Sequence, residues 1–156
     1  SSIPVLPDTL IEHWNVVQEG ASAAGRTAER SQWRIARDIY VAETTDQARH
    51  EVLKGTMGRD YEQYWLKLFS YAKMLPDMKI DRDMPDSGVT MDYLIDNVLI
   101  VGSPDEVAYK LRTLHKKTGG FGVLLAGGHE WQPKDEWVRS LQLLKQEVMP
   151  KLANLK

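Results

Sequence analysis

The chain has 156 residues, with 20 Lys and Arg against 22 Asp and Glu, a net charge of −2 and 42% hydrophobic residues. That length suits one domain with its own core, and so balanced a charge advertises neither nucleic acid nor an anionic membrane as partner. The chain holds no cysteine, which excludes a disulfide framework and a thiolate metal site; it shows no signal-peptide pattern and no run near the roughly 18 apolar residues of a membrane helix, so the expected setting is the cytoplasm.

Residues 1–7 carry Pro4 and Pro7 and predict an extended entry segment. A helix is expected from Asp8, its cap, to Ala24, with Leu10, Trp14, Val17 and Ala21 at helical spacing and Gly25 as its stop. The β-branched and aromatic run from Trp33 to Ala42 predicts a strand. Thr44 with Gln47 three residues on predicts a capping box. The long helix that follows should turn Ala48, Val52, Tyr61, Trp65 and Leu68 to one side, and Gly55 and Gly58 should bend or divide it.

Residues 74–92 hold two prolines, one glycine and five aspartates without clean periodicity. They predict a surface excursion, either a mobile lid or a solvated connector. Asn97 to Gly102 predicts a short extended segment. Ser103-Pro104-Asp105-Glu106 predicts a capped helix start, with Val107, Leu111 and Leu114 as the buried stripe and Gly119-Gly120 as the end. A strand from Phe121 to Ala126 follows, and a last helix from about Pro133 to Leu152 with Trp137, Leu141, Leu144 and Val148 inward.

Strands alternating with helices predict an α/β fold with a small parallel sheet. Two or three strands would leave faces and edges bare. The chain therefore reads as the C-terminal part of a larger α/β unit, with an independent small domain as the alternative.

The chemistry concentrates where the last strand ends, in Gly127-Gly128-His129-Glu130-Trp131. In a β/α barrel this face carries the active site. His129 can act as acid, base or donor near neutral pH, and Trp131 offers a flat apolar wall to a ring system. The plainer alternative is a capped loop, with Glu130 accepting from helix amides and His129 satisfied by a carbonyl. On the first strand, positions 34, 36, 38 and 40 share a face. Arg34, Asp38 and Tyr40 would then look into a barrel, with Tyr40 nearest its C-terminal end. Arg37, on the other face, spoils a simple apolar surface and is expected to pair with a carboxylate. An ion-pair network is the expectation for Asp38.

Zinc spacings, nucleophile elbows and phosphate loops are absent from the sequence, and no metal site is expected. Gly119 to Gly122 precedes a strand and so is not a dinucleotide fingerprint. Gly102-Ser103-Pro104 could hold a phosphate, but its capping role explains it more simply.

The segment VGSPDEVAYKLRTLHKKTGGFGVLLAGGHEW (101–131) resembles the C-terminal part of luciferase-like flavin-dependent monooxygenases, in the limonene monooxygenase-like branch. LPDTLIEHWNVVQEGASAAGRT, RSQWRIARDIYVAETTDQAR and LLKQEVMPKL agree in the same order, so the resemblance covers all but about residues 70–95. It implies the C-terminal part of a TIM (β/α)8 barrel, about two barrel strands with their helices. It implies reduced FMN, O2 and a small organic substrate, with reduced flavin drawn from a separate reductase. His129 would then be catalytic, Trp131, Tyr40 and Glu130 would border the cofactor, and 74–92 would be the lid. Tyr40 stands where the family carries His, and Arg37 and Asp38 where it has Gly and Pro. The family's first strands lie upstream of the matched segment, so this chain alone should not catalyse. It would need the missing N-terminal barrel half, or a homo-oligomer. A deazaflavin-dependent oxidoreductase of the same superfamily, or a truncated binding or assembly module, are the alternatives.

Overall fold

The computed structural model describes residues 4–155; the start of the expected entry segment, 1–3, lies outside them. Three parallel strands, β1 (Arg34–Val41), β2 (Ile100–Gly102) and β3 (Val123–Gly127), form one sheet in the order β2-β1-β3. β1 pairs with β3 from Arg34↔Val123 to Asp38↔Gly127, and with β2 only at its far end, from Ile39↔Ile100 to Val41↔Gly102. Consecutive strands of a β/α barrel are neighbours. β1 neighbours both of the others, but it pairs with β3 at five positions and with β2 at three, so β1 and β3 answer best to the two barrel strands the sequence suggested.

Eight α-helical segments surround the sheet among the described residues. α1 (Pro7–Ala23) buries Leu10 and Trp14. Its cap position is Leu6 and no side chain caps it, so Asp8 sits in the first turn instead of capping as expected. Pro7 explains this: at the first helical position its missing N–H needs no acceptor. α2 (Thr45–Lys54) starts on Thr44, whose hydroxyl accepts from Gln47 N at 3.1 Å. The Gln47 side chain turns forward to Glu51, so only half of the capping box forms.

Gly55 divides the long helix as expected, giving α3 (Thr56–Asp60), a π-helical turn (Tyr61–Trp65) and α4 (Leu66–Tyr71). The wide π turn shifts the inward face by one residue. Phe69 is therefore buried where Leu68 was expected. Residues 74–92 are less of an excursion than their composition suggests: Leu75, Met78 and Val89 are buried, Leu6 N bonds Asp77 O, and only 80–87 stand largely exposed. At its end lies α5 (Met91–Asn97), which the sequence reading missed, capped by Thr90.

α6 (Pro104–Thr118) has the expected cap, with Ser103 Oγ accepting from Glu106 N, and ends on Gly119 in the left-handed region. α7 (Lys134–Leu143), a π turn (Leu144–Val148) and α8 (Met149–Lys151) complete the chain. Trp137 and Val148 point inward as expected; Leu141 is exposed, and Ser140 takes the inward place. Ser140 Oγ accepts from Val41 N at 2.8 Å, just past the point where β3 stops pairing with β1.

Ile35, Ile39 and Val41 pack with α1 and α6 on one side of β1, while Tyr40 packs with α2, α3 and α7 on the other. One face of β3 remains uncovered: Leu125 is 51% exposed and Val123 is exposed as well, whereas Leu124 on the other face packs against the core.

Candidate active site

β1 and β3 run parallel, so their C-terminal ends deliver Asp38 and the 127–131 loop to the same place. Gly127 lies opposite Asp38, and a Cβ on residue 127 would collide with the Asp38 carboxylate. Glycine is what lets that carboxylate lie against the strand.

Four acidic and aromatic groups converge there on His129. Its Nδ1 lies 3.1 Å from Asp60 Oδ2, and its Nε2 lies 3.6 Å from Asp38 Oδ2. The first is a hydrogen bond; the second is an ion-pair distance, too long for a hydrogen bond. Tyr61 donates its hydroxyl proton to Asp38 Oδ2, and its ring sits 5.7 Å from the imidazole. Trp137 closes the far side at 6.4 Å. The side chains of His129 and Asp38 are each 7% exposed.

Burial alone would lower the His129 pKa, but the contacts with the Asp38 and Asp60 carboxylates outweigh it and hold it above its ordinary value. Burial pushes the Tyr61 hydroxyl far up, and the neighbouring Asp38 charge adds to this. For Asp60 burial acts upward, but His129 and Arg59 pull the carboxyl below its usual range. Burial also brings the Arg37 guanidinium, on the other face of β1, down to about 10; it donates to Val5 O at 3.0 Å.

The loop is pinned from one side. Besides the Asp60–His129 bond, Thr56 Oγ1 donates to Glu130 O at 2.8 Å and Arg59 pairs with Glu130 Oε2 at 2.7 Å. All three contacts come from the five residues of α3. Glu130 therefore pairs with an arginine, where the sequence suggested helix amides. Trp131 is 50% exposed and presents its indole outward.

Tyr40 lies behind the site. Its ring packs edge-on against Trp137 at 5.2 Å, and its hydroxyl donates to Glu51 Oε2 at 2.8 Å. Arg139 holds the same Glu51 carboxylate at 2.6 Å. The cavity beside Tyr40 measures about 10 Å3, room for one water and far too small for a ring system.

The structure thus brings His129, Glu130, Trp131 and Asp38 together and seats Tyr40 one layer back. Sequence reasoning missed Asp60, Tyr61, Thr56 and Arg59 as members of the site. Their only signal was proximity to Gly55 and Gly58, which says where a helix breaks and nothing about what it faces. Among the described residues no cluster of His, Asp and Glu is arranged to hold a metal ion, and no helix is long and apolar enough to cross a membrane.

No protein-family model matches the chain. Individual proteins do. The chain is 33% identical over 146 residues to 3,6-diketocamphane 1,6-monooxygenase of Pseudomonas putida, covering 93% of this chain and 39% of that protein. It is 31% identical to limonene 1,2-monooxygenase of Rhodococcus erythropolis, covering 94% of this chain and 35% of that one. Among solved structures, the oxygenating constituent of 3,6-diketocamphane monooxygenase from Pseudomonas putida, a type II Baeyer-Villiger monooxygenase in complex with FMN, superposes with a TM-score of 0.87 at 33% identity. That match spans 96% of this chain and 42% of the neighbour. A monooxygenase from Streptomyces bottropensis shares the fold at 18% identity and a TM-score of 0.60. The homologues are luciferase-like type II flavin monooxygenases, and this chain spans about two fifths of their length.

Proposed function

We propose that this chain is the His129-bearing portion of an FMN-dependent monooxygenase that oxygenates a small organic substrate with O2 and reduced flavin. The observation that carries the reading is the match to an FMN-bound oxygenase along 96% of this chain. That neighbour is described as the oxygenating constituent of its monooxygenase, which supports a separate reductase as the source of reduced flavin here too. Nothing in the structure favours a deazaflavin enzyme or a non-catalytic module over this reading. The cytoplasmic setting belongs to the same proposal.

FMN would supply the redox chemistry, carrying the electrons that activate O2. The residues present fit one wall of its site. The exposed indole of Trp131 and the open apolar side chains of Val123 and Leu125 give a surface against which a flat ring can lie. His129 is the group at the strand end able to hold a proton near neutral pH. Nδ1 is bonded to Asp60, while Nε2 faces the Asp38 carboxylate at 3.6 Å, beyond hydrogen-bond distance, and is the ring atom without a hydrogen bond to the protein. Glu130, fixed by Arg59, holds the loop that carries both, and Tyr40 supports Trp137 behind them. The rest of the ring's enclosure, and its phosphate site, would come from the three fifths of the enzyme that this chain does not match.

The test uses the longest natural chain that contains these residues, loaded with FMN and given reductant, O2 and a cyclic ketone or terpene alkene. Oxygenated product should form, and His129→Ala should abolish it while FMN binding persists. Absence of any flavin absorbance after loading would sink the reading.

A further inference from the structure

We infer that Asp38 and Asp60 are positioning residues that keep His129 an imidazolium, so that the site offers a ligand oxygen a cationic Nε2–H donor and not a free base. The flavin-oxygenase reading supplies the ligand, so the inference rests on it for that clause alone.

The argument is geometric. An imidazole between two carboxylates faces negative charge at both nitrogens, at 3.1 Å from Asp60 and 3.6 Å from Asp38. In its neutral form one nitrogen would turn a lone pair toward a carboxylate oxygen, so the cation is the form that satisfies both sides. The charges that face His129 come from every element packed on it: Asp38 from β1, Asp60 from α3, the Tyr61 hydroxyl from the π turn through Asp38, and the uncharged Trp137 ring from α7. Arg59 also acts, by neutralising part of Asp60.

The two carboxylates are unequal. Asp60 is nearer, but it is 26% exposed and shares its charge with Arg59. Asp38 is 7% exposed, so water screens it less. Asp38 should therefore weigh more despite the longer distance. Tyr61 fixes its carboxylate by donating to the same Oδ2 that faces Nε2. That leaves Nδ1–H bound to Asp60 and Nε2–H held by charge without a strong hydrogen bond. A carbonyl or flavin oxygen could take it without breaking one. In chemical terms the site would stabilise developing negative charge on an oxygen.

The test is an NMR titration of the His129 ring in the isotope-labelled longest natural chain that contains these residues, with no flavin needed. Asp38→Asn keeps the shape and the acceptor for Tyr61 and removes the charge. It should shift the His129 titration to lower pH, more than Asp60→Asn does; Tyr61→Phe, which leaves both charges in place, should shift it less than either. If Asp38→Asn fails to fold, Asp60→Asn at the half-open position still tests the claim. An unchanged midpoint in Asp60→Asn and in any folded Asp38→Asn overturns it. In the flavin-loaded enzyme, the alkaline limb of the kcat/KM profile should move with the NMR midpoint. An intact NMR result without flavin binding would defeat the oxygenase reading and leave the imidazolium standing, whereas turnover with a neutral His129 throughout would defeat the inference alone.

Discussion

Replacing Gly127 by alanine isolates the contact on which the site rests. The backbone there is ordinary strand, so an alanine side chain meets only a steric problem. Its Cβ would collide with the Asp38 carboxylate and would lie 3.3 Å from Arg37 O, a tight contact in its own right. Overpacking by a methyl group costs about 1–3 kcal/mol. If the carboxylate swings away, its bond from Tyr61 is lost as well, and a hydrogen bond to a charged group contributes about 1.5–3 kcal/mol. A total of about 2–4 kcal/mol follows, since one effect partly relieves the other. In an Asp38→Ala background the collision partner is gone and only the Arg37 carbonyl contact remains, so Gly127→Ala should cost under about 1 kcal/mol. The coupling between the two positions is thus about 1–3 kcal/mol. Urea unfolding followed by tryptophan fluorescence measures it. With a slope of about 2 kcal/mol/M, Gly127→Ala alone should lower the midpoint by about 1 M or more. Equal costs of Gly127→Ala in both backgrounds would show that the carboxylate is not what demands glycine, and the account of the strand end would fall.

Ser140→Ala leaves the buried Val41 amide without its acceptor and should cost about 1–3 kcal/mol in urea, whereas Ser140→Thr, which keeps the hydroxyl, should recover part of it. The pH dependence of stability carries a definite sign. The folded-state pKa of His129 is raised, so its stabilising contribution is full below the unfolded value of about 6.5 and is lost as pH rises through the folded value. The advantage of the native chain over His129→Gln, read from thermal midpoints, should shrink on going from about pH 6 upward; an advantage that grows with pH refutes the charged assignment. Deleting the exposed tip 80–87 tests the lid reading in the flavin-loaded enzyme: coupling of reduced flavin to product should drop while flavin binding is kept, because a lid excludes water from the reaction. Unchanged coupling makes the tip a simple connector.

Much of this architecture is legible in the chain. The Ser103 cap, the Gly119 stop and the β-branched run of β1 are local signals, and local physics decided them. That the strands run parallel followed from the alternation of elements; which of them pair did not. What could not be read was longer in range. The burial of Phe69 in place of Leu68 depends on a π turn, which no simple period predicts. α5 hid behind an aspartate-rich approach although Thr90 was there to cap it. The 127–131 loop stood out because its residues are adjacent in sequence. Asp60 and Tyr61, some 70 residues earlier, reach the same imidazole only through the tertiary fold. Asp38 was expected in an ion-pair network, and it lies in one; that its partner is His129 needed the parallel register of the two strands.

α3 is the N-terminal end of one continuous helical run that passes through the π turn into α4, and fraying starts at a helix end. The loop it grips steadies that end, and the end steadies the loop. The two should therefore open and close as one event, so that their amides exchange with solvent at a common rate. Any ligand that settles on Trp131 then shifts a population as well as filling a surface: by holding the loop it steadies a helix end that it never touches.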